Sequence, residues 1–264
     1  MKIAVCIKQV PTREWQPRLR EDRTWVRDQD ASYEMNEPDA YALEEALRLR
    51  EKHGGEVVVC SAGPARVQQV LREALARGAD RALHVEDDSL ASADAFVTAG
   101  ALAAAMLEER FDIVLTGLQS DDQGHAQTGV ILAERLGIPH STIIMEIQVD
   151  GSPPGAEAGG ASGRVRVKRE LEGGWFQWIS MPLPALLTIQ SGINQLRYAT
   201  LKGIMGAKKK EIRKVPLPPG LQPSQQIVTL ALPSKAKQTQ MIAGSPQEAA
   251  RELVRRLREE TRAL

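Results

Sequence analysis

The chain has 264 residues and 42% hydrophobic content, enough for one large domain or for one domain with an appendage. Its 34 basic and 34 acidic residues cancel to a formal net charge of zero, so no whole-molecule field draws it to nucleic acid or to anionic lipid. No run approaches the roughly 20 apolar residues that span a bilayer, and Lys8 and Gln9 interrupt the first apolar run, which is too short and too polar for a signal peptide; the expectation is a soluble, cytoplasmic protein without direct membrane insertion.

Taken in chain order, the first 140 residues alternate between two patterns. "KIAVCIKQV" is a strand-like run of branched residues. "AYALEEALRLREKHGG" spaces its leucines for a helix and stops at Gly54-Gly55. "EVVVCSAG" reads as a buried strand, and "PARVQQVLREALARGAD" as a second helix with Pro64 at its start and Gly78 past its end. "RALHV" and "DIVLTG" are further strands, "DAFVTAGALAAAMLEERF" and "TGVILAERLG" further helices. Such alternation predicts βαβ crossovers and an α/β fold, a doubly wound and mostly parallel sheet of the adenine nucleotide α hydrolase-like type.

The pattern then changes. "TIIMEIQV" and "RVRVKREL" alternate polar and apolar residues around the Gly/Pro/Ala stretch 151–163, which predicts a β-hairpin extension (142–190) with a long, mobile tip. "GGWFQWISMPLPALLTIQ" adds two extended pieces split by prolines. The sequence divides into a nucleotide-binding domain over 1–210 and an extended C-terminal arm over 211–264. The arm ends in a charged helix with Ser245 as N-cap and is too poor in apolar residues to fold alone, so it is expected to lie on a partner or on the main domain. Cys6 and Cys60 sit inside apolar runs and read as small buried hydrophobes, and the four histidines show no ligand spacing, so no metal site is expected.

In open α/β sheets ligands bind beyond the C-terminal ends of the strands, so the residues just after each strand are the candidates for a site. After the first come Cys6 to Gln9. In "MNEPDA", Asn36 has the chemistry of an N-cap and Asp39 the position of a capping-box acid. Gly63 offers a ligand close access to the backbone. "GLQSDDQGHAQTG" (117–129) is polar and opens a helix near Thr128, where free N–H groups and the helix dipole favour an anion such as phosphate, with Gln127 and Thr128 adding side-chain hydrogen bonds. There is no P-loop, no G-x-G-x-x-G after the first strand and no nucleophile elbow. The chain is therefore built to hold an adenine-type nucleotide without a visible machine for cleaving it.

Several segments together, "MNEPDAYALEEALRLRE", "GPARVQQVLREALARGADRALHV", "VKRELEGG", "LPALLTI" and "RYATLKGIMGAKKKEI", resemble the β subunit of electron transfer flavoprotein over most of residues 1–213. The resemblance implies an αβ heterodimer that carries electrons and is not an enzyme in its own right. FAD is held chiefly by the α subunit at the subunit interface, and a structural AMP by this subunit. Electrons arrive from acyl-CoA or related flavin dehydrogenases, as in fatty acid oxidation, and leave to a quinone oxidoreductase. Carried over by position, the AMP site comprises Cys6, Asn36, Glu37, Pro38, Asp39, Ala62 and the loop from Asp122 to Ala133, including Gln123, Gly124, His125, Ala126, Gln127, Thr128, Gly129 and Val130. The recognition loop over 197–206 docks dehydrogenases with Leu201 as its anchor, flanked by Arg197, Tyr198, Ile204 and Met205, and the lysines at 208–210 speed association. Glu170 matches a glutamate that pairs with an arginine of the mobile FAD domain in α. Lys202 stands where a proline commonly follows the anchor leucine, and "SDDQGHAQTG" where many members carry A-I-D-x-D. Three other readings stay open: the second FAD of an electron-bifurcating form in place of AMP, an adenylyl-transferring or ATP-cleaving enzyme of the same broad fold, and a universal-stress-like ATP-binding homodimer.

Overall fold

In a computed structural model that describes residues 1–150, 163–233 and 239–260, the alternating patterns of the sequence become one nine-stranded sheet with helices on both faces. Its strands are β1 (Lys2–Cys6), β2 (Glu56–Gly63), β3 (Arg81–Glu86), β4 (Ile113–Gly117), β5 (His140–Asp150), β6 (Arg164–Glu170), β7 (Phe176–Pro182), β8 (Ala185–Ile189) and β9 (Ile212–Val215). The helices are α1 (Glu37–His53), α2 (Gln68–Arg77), α3 (Ala95–Met106), α4 (Thr128–Leu136), α5 (Leu201–Ala207) and α6 (Pro246–Glu259). The order across the sheet is β7-β6-β5-β8-β4-β1-β2-β3-β9. All neighbours pair in parallel except β5 with β6 and β6 with β7, which form the antiparallel extension. The tip expected over 151–163 falls, but for its last residue, outside the described residues.

The chain lays β1, β2 and β3 side by side, then returns to place β4 on the other flank of β1. The order therefore reverses between β1 and β4, and a crevice opens beyond their C-terminal ends. Two cores cover the sheet. On one face Val5, Val57 and Leu115 pack with Leu43 and Leu47 of α1 and Leu71 and Leu75 of α2. On the other Ala4, Val58 and Leu186 pack with Leu102 of α3 and Leu132 of α4. The strands in the middle are apolar on both faces, as parallel strands under two helical layers must be. Cys6 and Cys60 are buried and unbridged.

The first compact unit runs from Met1 to Thr229, past the boundary at 210 drawn from the sequence, because Ile212–Val215 adds to the sheet as an edge strand on β3. The second unit, Leu230–Leu264, contains α6, which opens on a full capping box between Ser245 and Glu248. No helix among the described residues is long and apolar enough to cross a membrane.

At the pole opposite the crevice, Glu109 in the turn after α3 gathers three cations: Lys2 at 2.7 Å, Arg81 at 2.7 Å and Arg213 at 2.6 Å. These lie at the starts of β1, β3 and β9, so one carboxylate staples three strands. The hydrogen bonds from Arg81 outweigh burial and hold the Glu109 pKa down at about 2. With the folded value depressed, the network contributes fully above about pH 4.5, and the contribution is lost as pH falls towards 2. Glu109→Gln is expected to lower stability at neutral pH by about 3 kcal/mol, because three cations lose their shared partner. In urea titrations the gap between wild type and variant should close below pH 4; a gap independent of pH would refute the role given to the charge.

Candidate functional site

Beyond the C-terminal ends of β1, β2 and β4 lies a cleft of about 1180 Å³. Its floor is Cys6 of β1 and Ile7 just after it, Ala62 from β2, and Thr116 and Gly117 from β4. The first turn of α1 clasps it together. Asp39, buried, accepts the backbone N–H of Lys8 at 2.7 Å through one carboxylate oxygen and that of Gly117 at 2.8 Å through the other. Asn36, also buried, donates from its amide to the carbonyl of Gln119 at 3.0 Å and accepts the N–H of Asp121 at 2.9 Å. Neither side chain caps α1, contrary to the capping roles expected from the sequence. Both reach sideways instead, because the strand ends and the loop present unpaired backbone groups there that have no other partner. A Cβ on Gly117 would collide with the Asp39 carboxylate and stand 2.7 Å from Pro38, so only glycine lets α1 approach this closely. Burial pushes the Asp39 pKa up to about 7, although the two N–H donors and Asn36 favour the charged form.

The 118–127 loop forms one rim. Lys8 reaches across from β1 to Asp122, 2.7 and 2.9 Å from its two oxygens, and to the Ser120 hydroxyl at 3.3 Å. The loop ends at α4, whose N-cap Gln127 makes no side-chain capping bond, so the first N–H groups of the helix stay open towards the cleft. Gly129 brings that end onto the sheet, since a Cβ there would stand 2.8 Å from both Thr116 and Thr188.

The structure brings Cys6, Asn36, Asp39, Ala62, Asp122, Gln123, His125, Ala126, Gln127, Thr128 and Gly129 to the cleft. It does not bring Glu37, Pro38, Gly124 or Val130. Glu37 turns out to Arg13, Pro38 packs on Gly117, and Val130 lies on the far side of α4. Gly63, expected to admit a ligand, does not line the cleft; a Cβ there would stand 2.8 Å from Val67. Three walls carry no signal that sequence reasoning caught: the turn Asp87–Ala95 after β3, the segment 217–227 after β9, and a ribbon over 18–27 that brings Arg20, Trp25 and Val26 to the cleft. Near the ribbon, Arg66 stacks over Tyr33 at 4.4 Å. These walls come from loops with no periodicity; the basic and aromatic content of the ribbon could have marked that wall, whereas 87–95 and 217–227 contain no basic or aromatic residue and offer no such signal.

A second feature lies away from the cleft. The segment expected as a recognition loop contains the short helix α5, capped by the Thr200 hydroxyl, which accepts the N–H of Gly203 at 3.0 Å. Tyr198 is 89% exposed, Leu201 77%, Met205 65% and Ile204 47%, so four large apolar side chains face outward together. Two of the charged residues around them, Arg197 and Lys210, turn inward, whereas Lys202 in α5 is exposed. Arg197 is bound by Glu44 at 2.7 Å and Glu51 at 2.6 Å on α1. Lys210 donates to the carbonyls of Leu75 and Ala79 at the end of α2, at 3.1 and 2.5 Å. Only Lys208 and Lys209 of the lysine run are exposed. Gly203 sits against the Ala76 carbonyl, where no Cβ fits. Glu170 ends β6, half-buried, and accepts a long hydrogen bond from Gln190 at 3.4 Å.

The model of the electron transfer flavoprotein domain matches residues 24–219. Among curated relatives, the electron transfer flavoprotein subunit beta of Methylophilus methylotrophus is 38% identical over 270 residues, covering 98% of each chain. That of Thermoanaerobacterium thermosaccharolyticum is 37% identical, covering 97% of this chain and 98% of its own. The mitochondrial subunit beta of Oryza sativa subsp. japonica is 37% identical over the whole of both chains.

Asp39→Asn tests the clasp. An amide turns an NH2 donor towards one of the two N–H donors, where a carboxyl oxygen accepts with or without its proton, so the variant should lose about 1–3 kcal/mol of stability. Because the folded Asp39 pKa is raised from 3.8 to about 7, the folded protein holds a proton there that the unfolded chain has released. Its contribution therefore falls as pH rises from about 4 to about 7, with a slope approaching about 1.4 kcal/mol per pH unit. The advantage of wild type over Asp39→Asn should shrink across that window in denaturant titrations; a constant advantage would contradict it.

Proposed function

Because the chain belongs to the β-subunit family of electron transfer flavoproteins, we propose that it is the β half of an αβ heterodimer. The complex takes electrons from acyl-CoA or related flavin dehydrogenases and passes them to a quinone oxidoreductase, working in the cytoplasm as a carrier and not as an enzyme in its own right. FAD, held chiefly by the α subunit at the interface, supplies the redox chemistry. The residues of this chain bind, orient and dock.

The observation that carries the nucleotide assignment is the cleft at the strand-order switch, closed on one side by the uncapped start of α4. An AMP fits the groups present. Open N–H donors of Thr128 and Gly129 and the ammonium of Lys8 suit a phosphate, and the small side chains of Cys6, Ala62 and Ala126 leave room for a flat base. The Asp39 carboxylate already occupies the N–H groups of Lys8 and Gly117, so a phosphate is directed to α4 and away from the end of β1.

A second reading has one observation in its favour. The cleft exceeds the roughly 300–1,000 Å³ of ordinary ligand pockets, and its lining includes Trp25, Tyr33, Arg20 and Arg66. A second FAD, as in an electron-bifurcating form, has a larger body to fill that space. Family membership removes the support for the ATP-sensing homodimer.

For docking, α5 offers a rigid apolar knob. Leu201 is the anchor, with Tyr198, Ile204 and Met205 around it, and Met205 suits a surface that meets several partners. Arg197 serves this surface from below by tying the loop to α1. Glu170 is the interdomain switch: an exposed ion pair with an arginine of α is worth about 0–1 kcal/mol, weak enough to open repeatedly.

Two measurements test this function. Denaturing the complex co-purified with its α subunit should release one AMP and one FAD per heterodimer; two FAD and no AMP would replace the first reading with the second. Leu201→Ala should lower the kcat/KM for reduction by the dehydrogenase about 30-fold, equivalent to a hot-spot loss of about 2 kcal/mol, with FAD content intact. An unchanged rate would sink the docking role of α5.

A further inference from the structure

The walls of the cleft are not equally fixed. The β1, β2 and β4 ends belong to the sheet. The 118–127 loop is held by Asn36 and by the Lys8–Asp122 pair. Of the three outer walls, the turn Asp87–Ala95 contains a short capped helical turn and the 18–27 ribbon its own strand pair, whereas 217–227, after β9, carries no regular secondary structure. From Pro218 to Thr229 it makes no backbone–backbone hydrogen bond among the described residues.

Two contacts keep this strap in place. Leu217 and Leu221 pack into the small third core with Val85, Leu90 and Ala101, and Leu221 lies against Gly100 so closely that a Cβ there would be 2.7 Å from it. Farther along, Asp94 accepts the N–H of Ser224 at 2.6 Å and that of Gln225 at 2.9 Å through one carboxylate oxygen. Through the other it caps α3, accepting the N–H of Val97 at 2.8 Å. The two bonds to Asp94 are the only hydrogen bonds that hold 218–229 to the body among the described residues. Pro218, Pro219 and Pro223 stiffen the strap, so losing one latch moves a length of wall and not a single residue.

We infer that the 218–227 strap is the gate through which the cleft exchanges its nucleotide, and that Asp94 is the positioning residue that latches it. The sheet cannot part without breaking core packing, and the clasped loop would have to release both Asn36 hydrogen bonds and the Lys8–Asp122 ion pair, whereas the strap opens by releasing two hydrogen bonds to one carboxylate and one leucine. The inference rests on the reading of the cleft as a nucleotide site.

The test uses the intact αβ complex. Exchange of its bound AMP for isotope-labelled AMP in excess is followed by mass, and hydrogen exchange is read at the amides of Ser224 and Gln225. Asp94→Ala should speed nucleotide exchange about tenfold or more, since two charge-assisted hydrogen bonds are lost, and should remove the protection of both amides. Leu221→Ala, which leaves the α3 cap untouched, should also speed exchange. Wild-type exchange in Asp94→Ala overturns the gate; if that variant fails to assemble, Leu221→Ala decides alone. Absence of adenine nucleotide from the wild-type complex would overturn the nucleotide reading, and the gate with it; nucleotide retained at the wild-type rate would overturn the gate only.

Discussion

One buried carboxylate sets the geometry at the crevice. Asp39 binds the N–H groups of Lys8 and Gly117, which extend from two adjacent parallel strands at the point where their ladder hydrogen bonding runs out. A parallel sheet that splits at a switch point leaves such groups unpaired. Satisfying them from the first turn of α1 draws the helix onto the sheet, and that approach is possible only because residue 117 has no side chain. Asn36, just before that turn, extends the same device to the loop after β4. The arrangement costs α1 its own side-chain caps, which the acidic first turn and the helix dipole partly offset.

The two poles of the sheet thus solve opposite problems. At the strand starts, Glu109 collects Lys2, Arg81 and Arg213 into one network. At the strand ends, the polar groups are held from the sides so that the middle stays open. Charge is used at one pole to close the structure and at the other to keep a cavity from collapsing. The raised pKa of Asp39 and the depressed pKa of Glu109 come from this difference: Asp39 is buried facing dipoles, whereas Glu109 faces full positive charges.

Regular periodicity made the sheet and its covering helices legible in the sequence; β2 and α4 begin where their patterns do. The floor of the cleft was legible for the same reason, because strand ends can be counted. The direction of individual side chains was not. Asn36 and Asp39 have the residue types and spacing of helix caps, and local preference alone assigns them that role; tertiary demand from Lys8, Gly117 and the 119–121 backbone overrides it. The strap and the 18–27 ribbon were invisible because their positions depend on long-range contacts, such as Asp94 with Ser224, that leave no local pattern.

The lysine run shows how a charged string divides its labour. Lys210 turns under α5 to the open carbonyls at the end of α2, where a cation complements the helix dipole, and Arg72 completes the junction by donating to the carbonyls of Ala207 and Lys210. Arg197 does the same at the other end of the segment by pairing with α1. A helix of seven residues is too short to persist in water alone, so its shape is imposed by these inward-turned cations and by the Thr200 cap. Fixing the backbone in advance means that the proposed partner need not order it, and the exposed Leu201 and Met205 are presented at little entropic cost. Of the charges that look like the docking signal in the sequence, Arg197 and Lys210 are scaffold that holds the apolar contact out, while Lys202, Lys208 and Lys209 stay exposed beside it.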